Sequence, residues 1–166
     1  ALLQLATAEG LCALFRLCKF SSIPQELRSI LEDPDVIKAG VASTEDAKLL
    51  LQDYAIKVNG AFDLRFLALL TNHKAEGLAK LSKKILDISL VKNWRITCSD
   101  WEAPNLSAPQ IDYAAKDAFV AVEIFKKLYS TLKRNSEDKS SILQLCDNYT
   151  DVSFKNKLAQ LNLDGV

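Results

Sequence analysis

SAPQIDYAAKDAFVAVEIFKKLYSTLKR, the stretch at residues 107–134, predicts a long amphipathic helix. Ser107 followed three residues later by Gln110 is a capping-box pattern, and Pro109 suits the first turn of a helix. Apolar residues then recur at steps of three and four, the spacing of one helical face. The members of this face are Ile111, Ala115, Ala118, Val122, Phe125, Tyr129 and Leu132. We expect this face to be buried.

Asp117 lies on the same helix, in a second stripe that is otherwise apolar. The other members of that stripe are Ala114, Ala121, Ile124 and Leu128. A carboxylate at the edge of a wide apolar arc loses hydration, so it must be paired, neutralised or bound to a metal ion. Tyr113, one turn earlier, has a phenol that can donate to it or orient a water. Two interpretations stay open at this point: a reaction centre shared with Tyr113, and a buried acceptor for a backbone or arginine donor.

The composition indicates one globular domain without an overall electrostatic field. A chain of 166 residues that is 49% hydrophobic is long enough for one core and too short for two comfortable domains. Because 21 basic residues balance 21 acidic ones, any binding to a polyanion must be local. Four cysteines without CxxC spacing and a single histidine disfavour metal clusters, disulfide frameworks and Ser-His-Asp or Cys-His catalysis. No apolar run approaches membrane-spanning length, and no signal peptide is visible.

The start of the sequence is unusual. The chain contains no methionine and begins with the apolar run ALLQLAT at Ala1, without a preceding turn. We therefore expect it to be a piece of a longer protein whose other residues include some before Ala1.

The rest of the chain alternates short apolar runs with helical patterns. In order, the predictions are a hairpin at residues 1–17, a helix at 24–33, a strand at 36–42, a helix at 43–54, a strand at 56–62, a helix starting at 63, an amphipathic helix at 77–87 and an irregular segment at 92–104. Ser43, Thr44 and Asp46 are predicted to cap the helix at residues 43–54. Asp63 is predicted to cap the helix that starts there, and we prefer this role for Asp63 over that of a metal ligand. Such an alternation predicts an α/β domain around one mixed sheet.

Aromatic side chains are expected to have structural roles. Trp94 and Trp101 fall in the irregular segment, where we interpret them as buried anchors rather than as platforms for nucleobases. Phe62 and Phe66 are predicted to lie in the core.

The polar side chains of the central region are expected to be solvated. Lys80, Lys83 and Lys84 lie on the polar face of their helix, with contacts to phosphates as the alternative interpretation. His73 lies in the polar sequence TNHK and is predicted to face water.

Five segments now fall in a characteristic order. They are GVASTEDAKLLLQDY, AFDLRFLA, GLAKLSKKIL, CSDW and LSAPQIDYAAKDAFVAVEIF, the last with a Tyr-x-x-x-Asp motif. Together they resemble the 3′-5′ exonucleases of the DEDD superfamily, in the ribonuclease D-like branch. The resemblance covers about residues 1–134, and residues 135–166 are interpreted as a linker and a loosely ordered tail.

The resemblance implies a ribonuclease H-like mixed sheet flanked by helices and a site with two Mg²⁺ or Mn²⁺ ions held by four acidic residues. Carried onto this sequence, the third acid is Asp46, the fourth is Asp117, and Tyr113 orients the attacking water. The first two acids belong to an Asp-x-Glu strand that, in the family, comes just before the segment resembling ALLQLAT. They have no counterpart here, so the resemblance implies that the central first strand is also missing.

We therefore expect the full-length protein to be a metal-dependent exonuclease acting on DNA or RNA 3′ ends, in the mitochondrion or the nucleus. These 166 residues alone are expected to be inactive and poorly folded, because half of the cation site and the central strand are absent. The alternative is a non-catalytic module that binds nucleic acid or protein with a degenerate exonuclease fold.

One position departs from the family pattern. Relatives often have an arginine just before the Cys-Ser-x-Trp segment, whereas this chain has Thr97, with Arg95 two positions earlier. We expect a phosphate or packing contact to be shifted or lost here.

Overall fold

The structure is a computed structural model that describes residues 1–90 and 93–135, with side chains up to residue 132. Its elements are β1 (Leu2–Ala6), β2 (Cys12–Arg16), α1 (Gln25–Glu32), β3 (Lys38–Gly40), α2 (Ser43–Tyr54), β4 (Ala61–Asp63), α3 (Leu64–Leu70), α4 (Leu78–Leu81), α5 (Trp94–Thr97) and α6 (Ala108–Asn135). The predicted helices and strands are present, although β3 and β4 are only three residues long. The predicted tail, from residue 136 onward, lies outside the described residues.

Within the described residues, the strands form two small sheets rather than one continuous sheet. In the first, β1 and β2 form the predicted antiparallel hairpin, in which Leu2 pairs with Arg16 and Ala6 with Cys12. In the second, β3 and β4 are parallel, and Gly40 pairs with Asp63. The mixed strand directions agree with the prediction, but the two pairs are not hydrogen-bonded to each other.

Helix α6 packs against β1, β2 and β3 and so contacts both sheets. Its buried apolar residues are Ala114, Val120, Ala121, Ile124 and Leu128. This face is the Asp117 stripe, so the prediction that the Ile111 face is the buried one was wrong at its start, where Ile111 is 47% exposed. The reason is tertiary: Ile124 and Leu128 meet buried side chains of α3 such as Leu67. Among the described residues, no helix, α6 included, has the length and apolarity needed to span a bilayer.

Two hydrophobic clusters stabilise the domain. The larger joins α3, α4, β4 and α6 and includes Phe62 and Phe66, which confirms the core role predicted for both rings. The smaller lies between the hairpin, α1 and α2. Its buried members are Leu17, Leu27, Leu31, Leu50 and Ile56.

Side-chain caps were predicted correctly for α6 and α3 and wrongly for α2. The capping box of α6 is present: Ser107 N–H donates to Gln110 Oε1 at 2.8 Å, and Gln110 N–H donates to Ser107 Oγ at 3.4 Å. Asp63 caps α3, as predicted. In contrast, α2 begins at Ser43, as predicted, but its N-cap residue is Ala42, and no side chain makes the predicted capping hydrogen bond.

The amphipathic segment at residues 77–87 is helical but changes type. Four residues of α-helix are followed by a π-helical turn, Ser82–Leu86. The hydroxyl of Ser82, a buried residue, donates to the Ile88 carbonyl at 2.7 Å, which fixes the end of this turn.

The polar residues in and near this segment form more side-chain contacts than the sequence predicted. Lys80 and Lys84 are exposed and form ion pairs with Glu76 at 3.9 and 2.5 Å. His73 is half-buried rather than solvated, and its Nδ1 lies 3.2 Å from the Thr71 hydroxyl.

Ile124→Ala should test whether the Asp117 stripe carries the packing of α6. Ile124 is fully buried, so its truncation is expected to lower the free energy of unfolding by roughly 2–5 kcal/mol. Ile111→Ala, on the face that the sequence favoured, is expected to change it by no more than about 0.5 kcal/mol. Urea denaturation of the two variants distinguishes the faces, and a larger loss for Ile111→Ala would contradict the packing described here.

Candidate active site

The first part of the site is the junction between β3 and α2. Ala42, which precedes α2, has a left-handed backbone with φ of 61°. A non-glycine residue is uncommon in this conformation, which needs support from its surroundings. The Ala42 N–H donates to Asp63 Oδ2 at 3.1 Å, so a side chain from the end of β4 holds the start of α2.

Asp63 is 4% exposed and its acceptor sites are used within the protein. Besides the Ala42 N–H, it accepts from the Arg65 N–H at 2.9 Å and from Arg65 Nη2 at 2.6 Å. The Arg65 side chain is partly exposed, at 31%, and its pKa is raised by this hydrogen bonding and by the Asp63 charge. Asp63 therefore acts as a cap and a clamp, which confirms the predicted cap. Neither its Arg65 pair nor its contact with Ala42 was predicted.

Asp46 lies in the first turn of α2, next to this clamp, and the residue is exposed at the surface. Partial burial of its carboxyl raises its pKa, and the charges of Asp63 and Glu45 raise it further. A helix N-terminus favours a negative charge. Desolvation and the two neighbouring acids act against this preference and raise the pKa of Asp46. The ionised carboxylate of Asp46 is thus energetically unfavourable, and a bound cation would stabilise it.

The second part of the site is a hydrogen-bonded pair on α6. Tyr113 and Asp117 are four residues apart, and the phenol is hydrogen-bonded to the carboxylate. Burial, the Asp117 charge and this hydrogen bond all raise the pKa of Tyr113 above 10.0. The phenol is therefore protonated at neutral pH and acts as a donor.

The structure brings Tyr113 and Asp117 together, as the sequence predicted, whereas Asp46 belongs to the group around Asp63. Helices α2 and α6, which carry the two groups, both pack against β3. Carboxylate oxygens suit Mg²⁺ and Mn²⁺. Even so, no three acidic, histidine or cysteine side chains converge on a possible cation within residues 1–90 and 93–135. In this part of the chain the donor chemistry fits such an ion, but the number of ligands does not.

A loop before α6 is fixed to the helix start. Gln110, only 6% exposed, donates from Nε2 to Ser99 Oγ at 2.9 Å and to the Asp100 carbonyl at 3.0 Å. The sequence indicated only its capping role. The Trp101 ring then lies 6.3 Å from the Tyr113 ring, centroid to centroid. The loop therefore contacts Tyr113 through the Trp101 ring.

The tryptophans of this loop differ from each other. Trp101 is half-buried, and its indole N–H donates to the Thr97 carbonyl at 3.3 Å, as an anchor would. Trp94 is 69% exposed, so its prediction as a buried anchor was wrong. The residues around it form the short helix α5, which the sequence did not predict and which leaves the indole facing outward.

Residues 1–133 match the family described as 3′-5′ exonuclease. The chain belongs to the 3′-5′ exonuclease family. Within that family, exonuclease 3′-5′ domain-containing protein 2 of Drosophila melanogaster is 49% identical over 160 residues, covering 93% of this chain and 27% of that protein. The chain therefore spans about a quarter of the length of this curated relative.

One solved nuclease structure has the same fold as this chain. A structure described as the apo form of the nuclease has a TM-score of 0.73 and 23% identity, covering 100% of this chain and 78% of that chain. This likeness confirms the predicted ribonuclease H-like α/β fold. A crystal structure of the EXD2 exonuclease domain soaked in Mn and Mg is 36% identical and covers 86% of this chain and 77% of that chain, with a TM-score of 0.42.

Asp46→Asn is expected to stabilise the protein at neutral pH. Because the pKa of Asp46 is higher in the folded state than its ordinary value of 3.8, the ionised carboxylate disfavours folding at neutral pH. That penalty disappears as the pH falls through the folded-state pKa toward 3.8, so the gain in melting temperature should shrink over the same range.

Thermal melts at several pH values measure this gain. Asp112→Asn is the matched control, because that exposed carboxylate is paired with Lys116 at 2.7 Å. Its replacement is not expected to raise the melting temperature. A lower melting temperature for Asp46→Asn at neutral pH would refute the electrostatic description.

Proposed function

We propose that the protein containing this chain is a metal-dependent 3′-5′ exonuclease that hydrolyses phosphodiester bonds at the 3′ ends of DNA or RNA. The observation that carries this proposal is the Tyr113–Asp117 hydrogen-bonded pair, in a chain of the 3′-5′ exonuclease family. The mitochondrion and the nucleus, the compartments implied by the resemblance, both contain such substrates.

In this proposal Asp46 and Asp117 hold Mg²⁺ or Mn²⁺ together with acidic residues from outside the described part of the chain. When bound, such ions stabilise the attacking and leaving oxygens of a phosphodiester displacement. The raised pKa of Asp46 supports this role, since a cation beside the carboxylate removes the cost of its charge.

Tyr113 is proposed to orient the attacking water rather than to remove its proton. A phenol whose pKa is raised is a weak candidate for a base at neutral pH. Its hydrogen bond to Asp117 fixes the ring, and the contact with Trp101 limits its movement on one side. Positioning a reactant in this way contributes to catalysis because a misplaced group reacts much more slowly.

A non-catalytic binding module is the second candidate. It is favoured by the finding that the acids within residues 1–90 and 93–135 do not form a group of three around a possible cation. A protein of this kind would bind nucleic acid without releasing nucleotides, so direct assay of product separates the two candidates.

Asp117→Asn in the longer protein is expected to nearly abolish the release of nucleotides from a 3′-end-labelled oligonucleotide. Tyr113→Phe removes only the hydroxyl and should lower kcat by roughly a hundredfold, because the water is less well positioned. Tyr129→Phe is the matched control, since that ring stacks on Phe125 four residues away on the same helix. An Asp117→Asn protein with full activity would rule out the assigned site.

The 166 residues expressed alone are expected to release no nucleotides in Mg²⁺ or Mn²⁺. The reason is that Asp46 and Asp117 supply only half of the four acids that the family resemblance implies. The comparison is the longer protein, assayed under the same conditions. Cation-dependent release of nucleotides by the 166 residues, purified free of contaminating nucleases, would contradict the expectation that two of the four acids lie outside them.

A further inference from the structure

Trp94 is the most unusual surface residue near the candidate site. It is 69% exposed, although a tryptophan is normally buried over most of its large apolar surface. The guanidinium of Arg95 lies 5.5 Å from the centre of its ring, within the range of a cation–π contact. The surface therefore presents an indole with an adjacent positive charge.

The indole is mounted on a fixed support. Asn93 caps α5 by accepting from the Arg95 N–H at 3.0 Å, which holds the start of the helix. The Thr97 hydroxyl donates to the Trp94 carbonyl at 3.3 Å, and the Thr97 carbonyl accepts from the Trp101 indole. Since the Trp101 ring contacts Tyr113, this chain of contacts connects Trp94 to the candidate catalytic pair.

The surroundings of Trp94 indicate what class of partner it suits. Its exposed neighbours in sequence, Asn93, Arg95 and Thr97, are polar or charged. The centre of a protein–protein interface is usually apolar and depleted in charge, so an isolated indole among polar residues fits such a centre poorly. An exposed ring beside a cation is instead the combination that binds single-stranded nucleic acid, with the ring stacking on a base and the cation near the backbone.

We propose that Trp94 and Arg95 form a stacking platform for an unpaired base of single-stranded nucleic acid close to the 3′ end that enters the active site. This inference rests on the proposed function and adds to it how the substrate strand is held. Trp94 provides a π-face that accepts any base, and Arg95 provides a charge for the adjacent phosphate. The platform thus acts in binding, apart from the bond that is cleaved.

The test is the affinity of the longer protein for a fluorescein-labelled oligothymidylate, measured by anisotropy with EDTA present so that no digestion occurs. Trp94→Ala is expected to raise Kd by roughly 5- to 150-fold, the range for one base–aromatic stack. Trp94→Phe, which keeps a π-face, should lose much less affinity. Trp94→Leu, which keeps apolar bulk without a π-face, should lose about as much as Trp94→Ala.

Arg95→Gln addresses the charge separately. It is expected to weaken binding at low salt and to reduce the slope of log Kd against log salt concentration by about one unit. Leu51→Ala is the matched control, because Leu51 is 54% exposed but lies on α2. Circular dichroism verifies that each variant is folded, which is expected because the replaced side chains are at the surface.

Exonuclease assays in Mn²⁺ run in parallel make the outcomes distinct. If the wild-type protein digests the oligonucleotide while folded Trp94→Ala and Trp94→Leu bind it as tightly as wild type, the platform is refuted and the proposed function stands. A wild-type protein that neither binds nor digests the oligonucleotide refutes both. Loss of affinity in Trp94→Ala and Trp94→Leu, but not in Trp94→Phe or Leu51→Ala, supports the platform.

Discussion

The burial of one face of α6 is the constraint on which the described structure depends. The two small sheets share no hydrogen bonds, yet α6 contacts both of them. The face is narrow in its first half, where Ala114 and Ala121 are buried, and wider where Ile124 and Leu128 fill the space against α3. Small side chains allow the helix to approach closely beside Asp117, while the larger ones provide most of the apolar burial. Packing and site geometry therefore come from the same stripe of residues.

A second constraint is the buried carboxylate of Asp63. It closes the left-handed turn at Ala42, caps α3 and is neutralised by Arg65. A buried carboxylate with so many donors is stable only as a complete set, because loss of one partner leaves a charge unsatisfied. Partial burial raises the pKa of Asp46, and the Asp63 charge raises it further, so a group that orders the fold also disfavours the charged form of the neighbouring surface acid. Destabilisation of this kind is typical of functional sites.

Local patterns in the sequence were enough to predict much of the fold. The capping box at Ser107 and Gln110, the hairpin around Gly10 and the cap at Asp63 all depend on residues a few positions apart. The pairing of Tyr113 with Asp117 also follows from helical spacing. Such features were predictable because the physical contact is between near neighbours in the chain.

The predictions from sequence were wrong where contacts between distant segments of the chain determine the structure. Ile111 and Ile124 fit helical periodicity equally well, and only the position of α3 determines which of their faces is buried. Ala42 carries no pattern that predicts a left-handed turn, since its support is a side chain 21 residues later. Trp94 was predicted to be buried because tryptophan usually is, whereas α5 turns it outward. Gln110 showed its capping role in sequence but not its bonds to Ser99 and Asp100.

The separation of the apolar interior into two clusters has a consequence for how the domain fluctuates. The hairpin, α1 and α2 share one cluster, while α3, α4 and α6 share the other. Cooperative units of exchange and local opening follow such divisions, so the two halves are free to open at different free energies. Amide protons of α2, the helix whose first turn contains Asp46, would then exchange with the hairpin half rather than with α6. Solvent would reach one wall of the site while the other wall stayed closed.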